Sequence, residues 1–212
     1  FDCRSLKRIE LQKNEKMVTG SDGKKALYPV TIGSSAFGGC TSLKEAVLSE
    51  NVVEIGNEVF ADCTELEKVT LQEGLKKIGY SFIRNTAVKS LTVPTTVETI
   101  ETVSDYYGNV YRGATDGAVQ LEEVVFKTGM KKIPDCFCSN YQWNEGLIRV
   151  EIPESVEEIG HHAFAGCTGL EEINFVKEIG RIGYCAFFDC RSLKRIELQK
   201  NEKMVTGSDG KK

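Results

Sequence analysis

Residues 159–175 read IGHHAFAGCTGLEEINF, and the phrase returns as IGSSAFGGCTSLKEAVL at 32–48, IGNEVFADCTELEKVTL at 55–71 and IGYCAFFDCRSLKRIEL at 182–198. A unit that recurs in this way marks a solenoid, in which each turn stacks on its neighbours. Working outward, a motif L-x-x-L-x-L begins at Leu6, Leu43, Leu66, Val88, Leu121, Leu147, Leu170 and Leu193, with swaps such as Ala46 and Phe126. The spacings are 37, 23, 22, 33, 26, 23 and 23 residues, so the base period is 23 and three turns carry insertions. A second signal, V/L-x-x-I, follows the strand motif, as in Leu75 with Ile78, Val97 with Ile100, Met130 with Ile133 and Val156 with Ile159.

Alternation within L-x-x-L-x-L puts the fourth and sixth residues inward and the fifth outward, the period of a strand. The segment Ile-Gly-x-x-Ala-Phe-x-x-Cys is too short for a long helix. It predicts a single helical or 3-10 turn that carries Phe60, Phe164 and Phe187 into the core. One turn cannot bury its own apolar face, so stacking creates the core. The expected architecture is a solenoid of about eight turns in one domain, residues 1–212, with a parallel β-sheet on one face and short helical or 3-10 turns opposite.

The full pattern, I-G-x-x-A-F-x-x-C-x-x-L-x-x-V/I-x-L/I-P-x-x-V-x-x-I, resembles the BspA-like leucine-rich repeats. The likeness covers essentially the whole chain, and VEIPESVEEIG at 150–160 follows it closely. The resemblance implies a leucine-rich repeat fold in a surface or secreted bacterial protein, with relatives in some parasitic protists, and a role in adhesion. The departures are the inserted turns and a repeat that lacks Ala-Phe-x-x-Cys after Ile100.

Composition agrees with a folded chain: 41% of the 212 residues are hydrophobic and 27% charged. No apolar run approaches the roughly 18 residues of a membrane helix, so no direct membrane insertion is expected of this stretch. A net charge of −4 gives no reason to expect nucleic acid as a partner. The chain opens at Phe1 rather than Met and has no leader pattern, as a piece of a longer protein would. Eight cysteines in a short secreted chain suggest disulfides. Their placement argues for core packing instead. Cys3, Cys40, Cys63, Cys167 and Cys190 share one repeat position, where a stacked core needs a small apolar group.

A larger repeat is also present. Residues 1–25 and 188–212 are identical, FDCRSLKRIELQKNEKMVTGSDGKK, at an offset of 187 residues. Residues 188–212 therefore read as the start of a second 187-residue super-repeat. Solenoid ends normally need caps, and end-to-end self-stacking of molecules is expected.

Of the insertions, residues 12–29 place two β-prone stretches around Gly20-Ser21-Asp22-Gly23 and predict a hairpin projecting off the solenoid. The other two, TVSDYYGNVYRGATDGAV between Ile100 and Leu121 and SNYQWNE between Ile133 and Leu147, fall in consecutive turns. They should emerge side by side and gather Tyr106, Tyr107, Tyr111, Arg112, Tyr141 and Trp143. Tyr, Trp and Arg are enriched in binding hot spots, and such rings suit sugar or peptide contact. The competing reading is that they seal an irregular turn.

Chemistry is sparse. His161 and His162 sit at variable, expectedly exposed positions, and Cys185 aligns with His162 one turn on. A nucleophile also needs an orienting group and an oxyanion site, and neither is visible. Cys136 and Cys138 are too close and too isolated for a zinc framework; Cys136 is expected in the Ala slot beside Phe137. Glu122-Glu123, Glu157-Glu158 and Glu171-Glu172 read as a solvated face. No cofactor, metal or catalytic residue is expected. The sequence reads as a non-enzymatic extracellular or cell-surface protein that mediates adhesion or binds a host or neighbouring-cell protein or glycan. A structural spacer and an intracellular interaction scaffold are the alternatives.

Overall fold

The computed structural model describes residues 3–13, 16–19, 23, 25–104, 110–140, 145–175 and 178–197. One face carries the strands of the leucine motif, in order Arg8–Glu10, Glu45–Val47, Lys68–Thr70, Ser90–Val93, Glu123–Phe126, Arg149–Glu151, Glu172–Asn174 and Arg195–Glu197. Every hydrogen-bonded pair among them is parallel, with Arg8 opposite Glu45 and Glu45 opposite Lys68, and Ser90 opposite Glu123 and Glu123 opposite Arg149. The ladder opens at two places, before Ser90–Val93 and before Glu172–Asn174. The V/L-x-x-I signal forms a second parallel face: Val30–Ile32, Val52–Ile55, Lys77–Ile78 and Thr99–Ile100 in one sheet, then Lys132–Ile133, Glu158–Ile159 and Arg181–Ile182 in another. The two faces bound about seven complete circuits of a parallel β-solenoid, rather than eight.

Alternation settles which side chains enter the core. Ala46 and Leu48, Leu91 and Val93, Val124 and Phe126, and Ile173 and Phe175 are all buried, with Leu43, Leu66, Leu121, Leu147 and Leu170 beside them. Phe60 and Phe164 are fully enclosed. Phe187 is only half-buried, because it lies at the downstream end of the stack. It stacks on Phe164 at 5.4 Å, as Phe37 does on Phe60 at 5.6 Å at the upstream end.

The expected helical or 3-10 turns on the third side are absent: no helix occurs among the described residues. Most of these segments are instead two consecutive hydrogen-bonded turns. In the second repeat the Ala61 N–H donates to Glu58 O and the Cys63 N–H to Phe60 O. Two left-handed residues four apart prevent a helix, for example Glu58 (φ 54°) with Asp62 (φ 61°), or His162 (φ 52°) with Gly166 (φ 76°). A helix needs an unbroken right-handed run. Reversing the hand at these points turns alternate N–H groups toward the next circuit. Glu58, Phe60 and Asp62 donate to Tyr80 O, Phe82 O and Arg84 O at 2.8–2.9 Å. The third side is thus a ladder of turns.

Two sequence assignments change with this geometry. Cys136 (φ 60°) occupies the left-handed position, so Phe137 takes the Ala slot and Cys138 the Phe slot. The turn after Ile100 does not lack its segment. Residues 113–118 supply it, with Ala114, Thr115 and Ala118 buried in the Ala, Phe and Cys slots.

Two antiparallel ribbons leave the solenoid, Met17–Thr19 with Lys25–Leu27 and Val103–Ser104 with Val110–Arg112. The root of the first is held by buried polar groups: Ser49 Oγ donates to Asn51 Oδ1 at 2.7 Å, and Asn51 Nδ2 to Tyr28 O at 3.0 Å.

Candidate functional site

Arg112 is the one residue of the expected patch whose side chain falls within the described set. Tyr106, Tyr107, Tyr141 and Trp143 lie outside the described residues, as does the side chain of Tyr111. The backbone of Arg112 makes an antiparallel bridge to Asn140, the residue before Tyr141, so the roots of the second and third insertions touch. The Arg112 guanidinium lies 3.4 Å from Glu58 and 3.7 Å from the Asp116 carboxylate, and 5.8 Å over the Tyr80 ring. Asp116 is buried and also accepts from Ser81 Oγ at 2.9 Å. Glu58 in turn faces Arg84, which pairs with Asp62 at 2.9 Å. Arg112 is therefore pinned at the root of the insertions, with its charge shared among carboxylates. Asp116 had no sequence signal of its own, since its turn is disguised by the substituted slots.

Away from the insertions the outward charges answer one another across turns. Glu45 lies between Arg8 at 3.0 Å and Lys68 at 2.9 Å, and these two cations hold its carboxyl below the usual carboxylate range, Lys68 chiefly through its hydrogen bond. Lys77 sits between Glu54 and Glu101, both at 3.0 Å, and their hydrogen bonds raise its ammonium above its ordinary value. The Glu pairs behave alike: Glu122 meets Lys89, Glu157 meets Lys131, Glu171 meets Lys194, and Glu158 meets Lys132 and Arg181. Exposed pairs like these contribute little stability individually. Together they leave the regular faces with little unbalanced charge to offer a ligand.

The histidines serve the stack. His161 and His162 are half-buried rather than exposed. In four turns the first variable position accepts the N–H of the same position one circuit on. Ser34 Oγ accepts from Asn57, Asn57 Oδ1 from Tyr80, Asp135 Oδ1 from His161, and His161 Nδ1 from Tyr184, at 2.9–3.1 Å. His162 and Cys185 share the left-handed position, and the His162 ring meets the edge of Tyr184 at 5.5 Å.

All eight cysteines are free thiols. Cys40, Cys63 and Cys167 are buried, Cys190 is half-buried and Cys3 is exposed, because the last two sit in end turns. Cys63, Cys167 and Cys190 each donate to the carbonyl of a neighbouring circuit, Phe37 O, Cys138 O and Phe164 O, at 3.0–3.3 Å. Burial pushes the Cys63 and Cys136 thiols up to about 11 and Cys190 to about 12, which keeps them protonated and poor nucleophiles. Among the described residues, no group of three or more His, Cys, Asp or Glu is placed to hold a metal ion.

A further surface carries no sequence signal, because the spacing from Leu147 to Leu170 is the regular 23. Where the ladder opens before Glu172–Asn174, a groove of about 780 Å³ is lined by Ile148, Arg149, Val150, Glu151, Ile152, Glu171 and Glu172. Ile148 is 54% exposed there.

The turn sequence matches the profile of the BspA type leucine rich repeat region, in 6 copies over residues 29–109 and 136–208. Among solved structures, a leucine-rich repeat protein of T. pallidum is similar at 25% identity and a TM-score of 0.56, over 77% of this chain and 71% of that one. A leucine-rich repeat protein from Bacteroides ovatus is similar at 20% identity and a TM-score of 0.33, over 89% of this chain and 62% of that one. A leucine rich cell surface protein from Faecalibacterium prausnitzii is similar at 19% identity and a TM-score of 0.31, over 95% and 75%. The curated proteins contain no match.

Proposed function

Since the chain belongs to the BspA-type leucine-rich repeat family, we propose that it is a non-enzymatic, surface-displayed or secreted solenoid that binds a protein or glycan of a host or neighbouring cell. The observation that carries this reading is the bridge from Arg112 to Asn140, which roots two Tyr- and Trp-bearing insertions at one point. Recognition then belongs to Tyr106, Tyr107, Tyr111, Tyr141 and Trp143 together with Arg112. Flat apolar faces with polar tips fit sugar and peptide ligands. Weak single contacts would gain strength from several copies displayed together.

Glycan-array and pull-down binding of the Tyr107→Ala/Trp143→Ala double variant, against the parent chain, tests this. The double variant should lose most binding while keeping its melting temperature. Unchanged binding would remove the patch. A second reading, a structural spacer in a larger surface protein, is favoured by the mutually neutralised charges of the regular faces. A chain that binds nothing in either assay, carried beside a separate binding domain in its full reading frame, would fit that reading.

A further inference from the structure

We propose that the groove between Arg149–Glu151 and Glu172–Asn174 binds an extended segment of another protein, one that sets an aliphatic side chain beside lysine or arginine. The site starts from a break in the ladder. Where the ladder is closed, one carbonyl accepts two N–H groups of the next circuit: Lys44 O from Glu67 and Lys68, and Glu122 O from Ile148 and Arg149, at 3.0–3.3 Å. Ile148 O holds the same position and accepts none among the described residues, and Arg149–Glu151 does not pair with Glu172–Asn174. A backbone acceptor is thus left on the wall of a groove of about 780 Å³, the size of a ligand pocket.

The groove is apolar at its centre. Val150 and Ile152 line it at 8% and 7% exposed, and Ile148 joins them at 54%. The other turns fill the Ile148 position with a charge, as Lys44, Glu67, Lys89, Glu122, Glu171 and Lys194 do. The second opening of the ladder, before Ser90–Val93, thus has Glu67 where this one has Ile148. The stack accepts a charged residue at this position, so the isoleucine adds apolar contact area to the groove without being needed by the fold.

The charge around that centre is negative. Arg149 divides its guanidinium between Glu123 and Glu151, and Glu171 meets Lys194 at 2.9 Å. Glu172 makes no ion pair among the described residues, although Glu45 and Glu123 at the same strand position each meet a cation. Glu151, Glu171 and Glu172 therefore line the groove against a single lining cation, Arg149, which suits a basic partner and repels an acidic one. Alternate side chains of an extended segment point the same way, about 7 Å apart. An aliphatic residue over Val150 and Ile152 then sets a basic residue two positions on against these carboxylates, with a backbone N–H for Ile148 O. The site uses none of the aromatic insertions, so it stands or falls apart from them.

Fluorescence anisotropy of the full 212-residue chain with a labelled, end-blocked probe, Ser-Ile-Thr-Lys-Thr-Arg-Ser, tests this. The probe should bind saturably, and replacing its Ile by Ser, or its Lys and Arg by Glu, should each weaken it about tenfold or more. On the protein, Glu172→Lys should weaken binding by about as much. Ile148→Glu separates the apolar contact from the charge, since it adds a carboxylate while removing the apolar wall; it too should weaken binding about tenfold. Glu98→Lys changes an exposed carboxylate just before Thr99–Ile100 on the second face, and should leave affinity within about twofold. All three substituted residues are exposed, so each variant should keep the parent's melting temperature. Absence of saturable binding would overturn the proposal. Stronger binding by Ile148→Glu, or an equal loss in Glu98→Lys, would mark a non-specific charge contact and overturn it as well. Full displacement of the probe by millimolar calcium would assign the carboxylates to a cation instead, with the same consequence.

Discussion

Gly79 and Gly33 hold the same motif position, but a Cβ on Gly79 would lie 2.2 Å from the Gly56 carbonyl carbon while one on Gly33 would lie in open space. Neither backbone is left-handed. The glycine is demanded by close approach of stacked corners, so its cost depends on having a turn behind it. Gly79→Ala should destabilise the monomer by about 3 kcal/mol, in the range of overpacking. Gly33→Ala should leave stability within about 0.5 kcal/mol, or raise it slightly by restricting the unfolded chain. Denaturant unfolding of both variants at equal m-value checks this, and equal losses would show that the corners do not touch as described.

The thiols give a second check on stacking. Cys40, Cys63, Cys136, Cys138 and Cys167 are buried, and Cys3 is exposed. Burial raises Cys63 and Cys136 to about 11, so thiolate is scarce at neutral pH while their turns stay closed. A thiol-specific chromogenic reagent should label Cys3 quickly in the native chain and the five buried cysteines only after unfolding. Fast native labelling of Cys63 would mean that its circuit is open.

Much of this was legible in sequence, and the exceptions share a cause. Leu43, Ala46 and Leu48 declare the core because strand alternation is a local property that survives any swap of apolar type. The left-handed turns are different. Ser35, Glu58, Ser81, His162 and Cys185 adopt positive φ although their residue types disfavour it. The inter-turn hydrogen bonds impose the conformation, and those are tertiary. The same ambiguity moved Cys136: CFCSN at 136–140 fits the pattern in two frames, and only the ladder to His161 O and Ala163 O selects one. At residues 113–118, Thr115 and Ala118 preserve burial but not identity, so the turn was invisible to a motif and plain in the fold. The proposed patch was legible only as composition, while the meeting of the two insertion roots at Asn140 depended on how two circuits stack.

Acid should weaken the fold partly through His162. Burial first, and the neighbouring His161 second, hold its imidazole below the ordinary value of 6.5. The unfolded chain therefore binds that proton more readily than the folded one. The contribution is whole above about 6.5 and declines as pH falls from there toward the folded value. Urea midpoints of His162→Gln and the parent, measured from weakly alkaline to weakly acid pH, should shift relative to each other in the variant's favour as pH falls, because the variant lacks this slope. Parallel curves would assign the acid sensitivity elsewhere.

The pairing at the root of the insertions tests how firmly the patch is mounted. Asp116 has a side chain only 5% exposed, with Ser81 Oγ at 2.9 Å and the Arg112 guanidinium at 3.7 Å. Removing the cation leaves a buried carboxylate with less compensation, which costs more than an exposed pair would. Arg112→Ala should lose about 2 kcal/mol, part of it from Glu58 and the Tyr80 ring. Asp116→Asn keeps the shape and the Ser81 contact while removing the charge. The double variant Arg112→Ala/Asp116→Asn should therefore be more stable than the two single losses add up to, by about 1 kcal/mol in a double-mutant cycle. Strict additivity would mean that Asp116 does not hold Arg112, leaving its guanidinium to Glu58 and the Tyr80 ring.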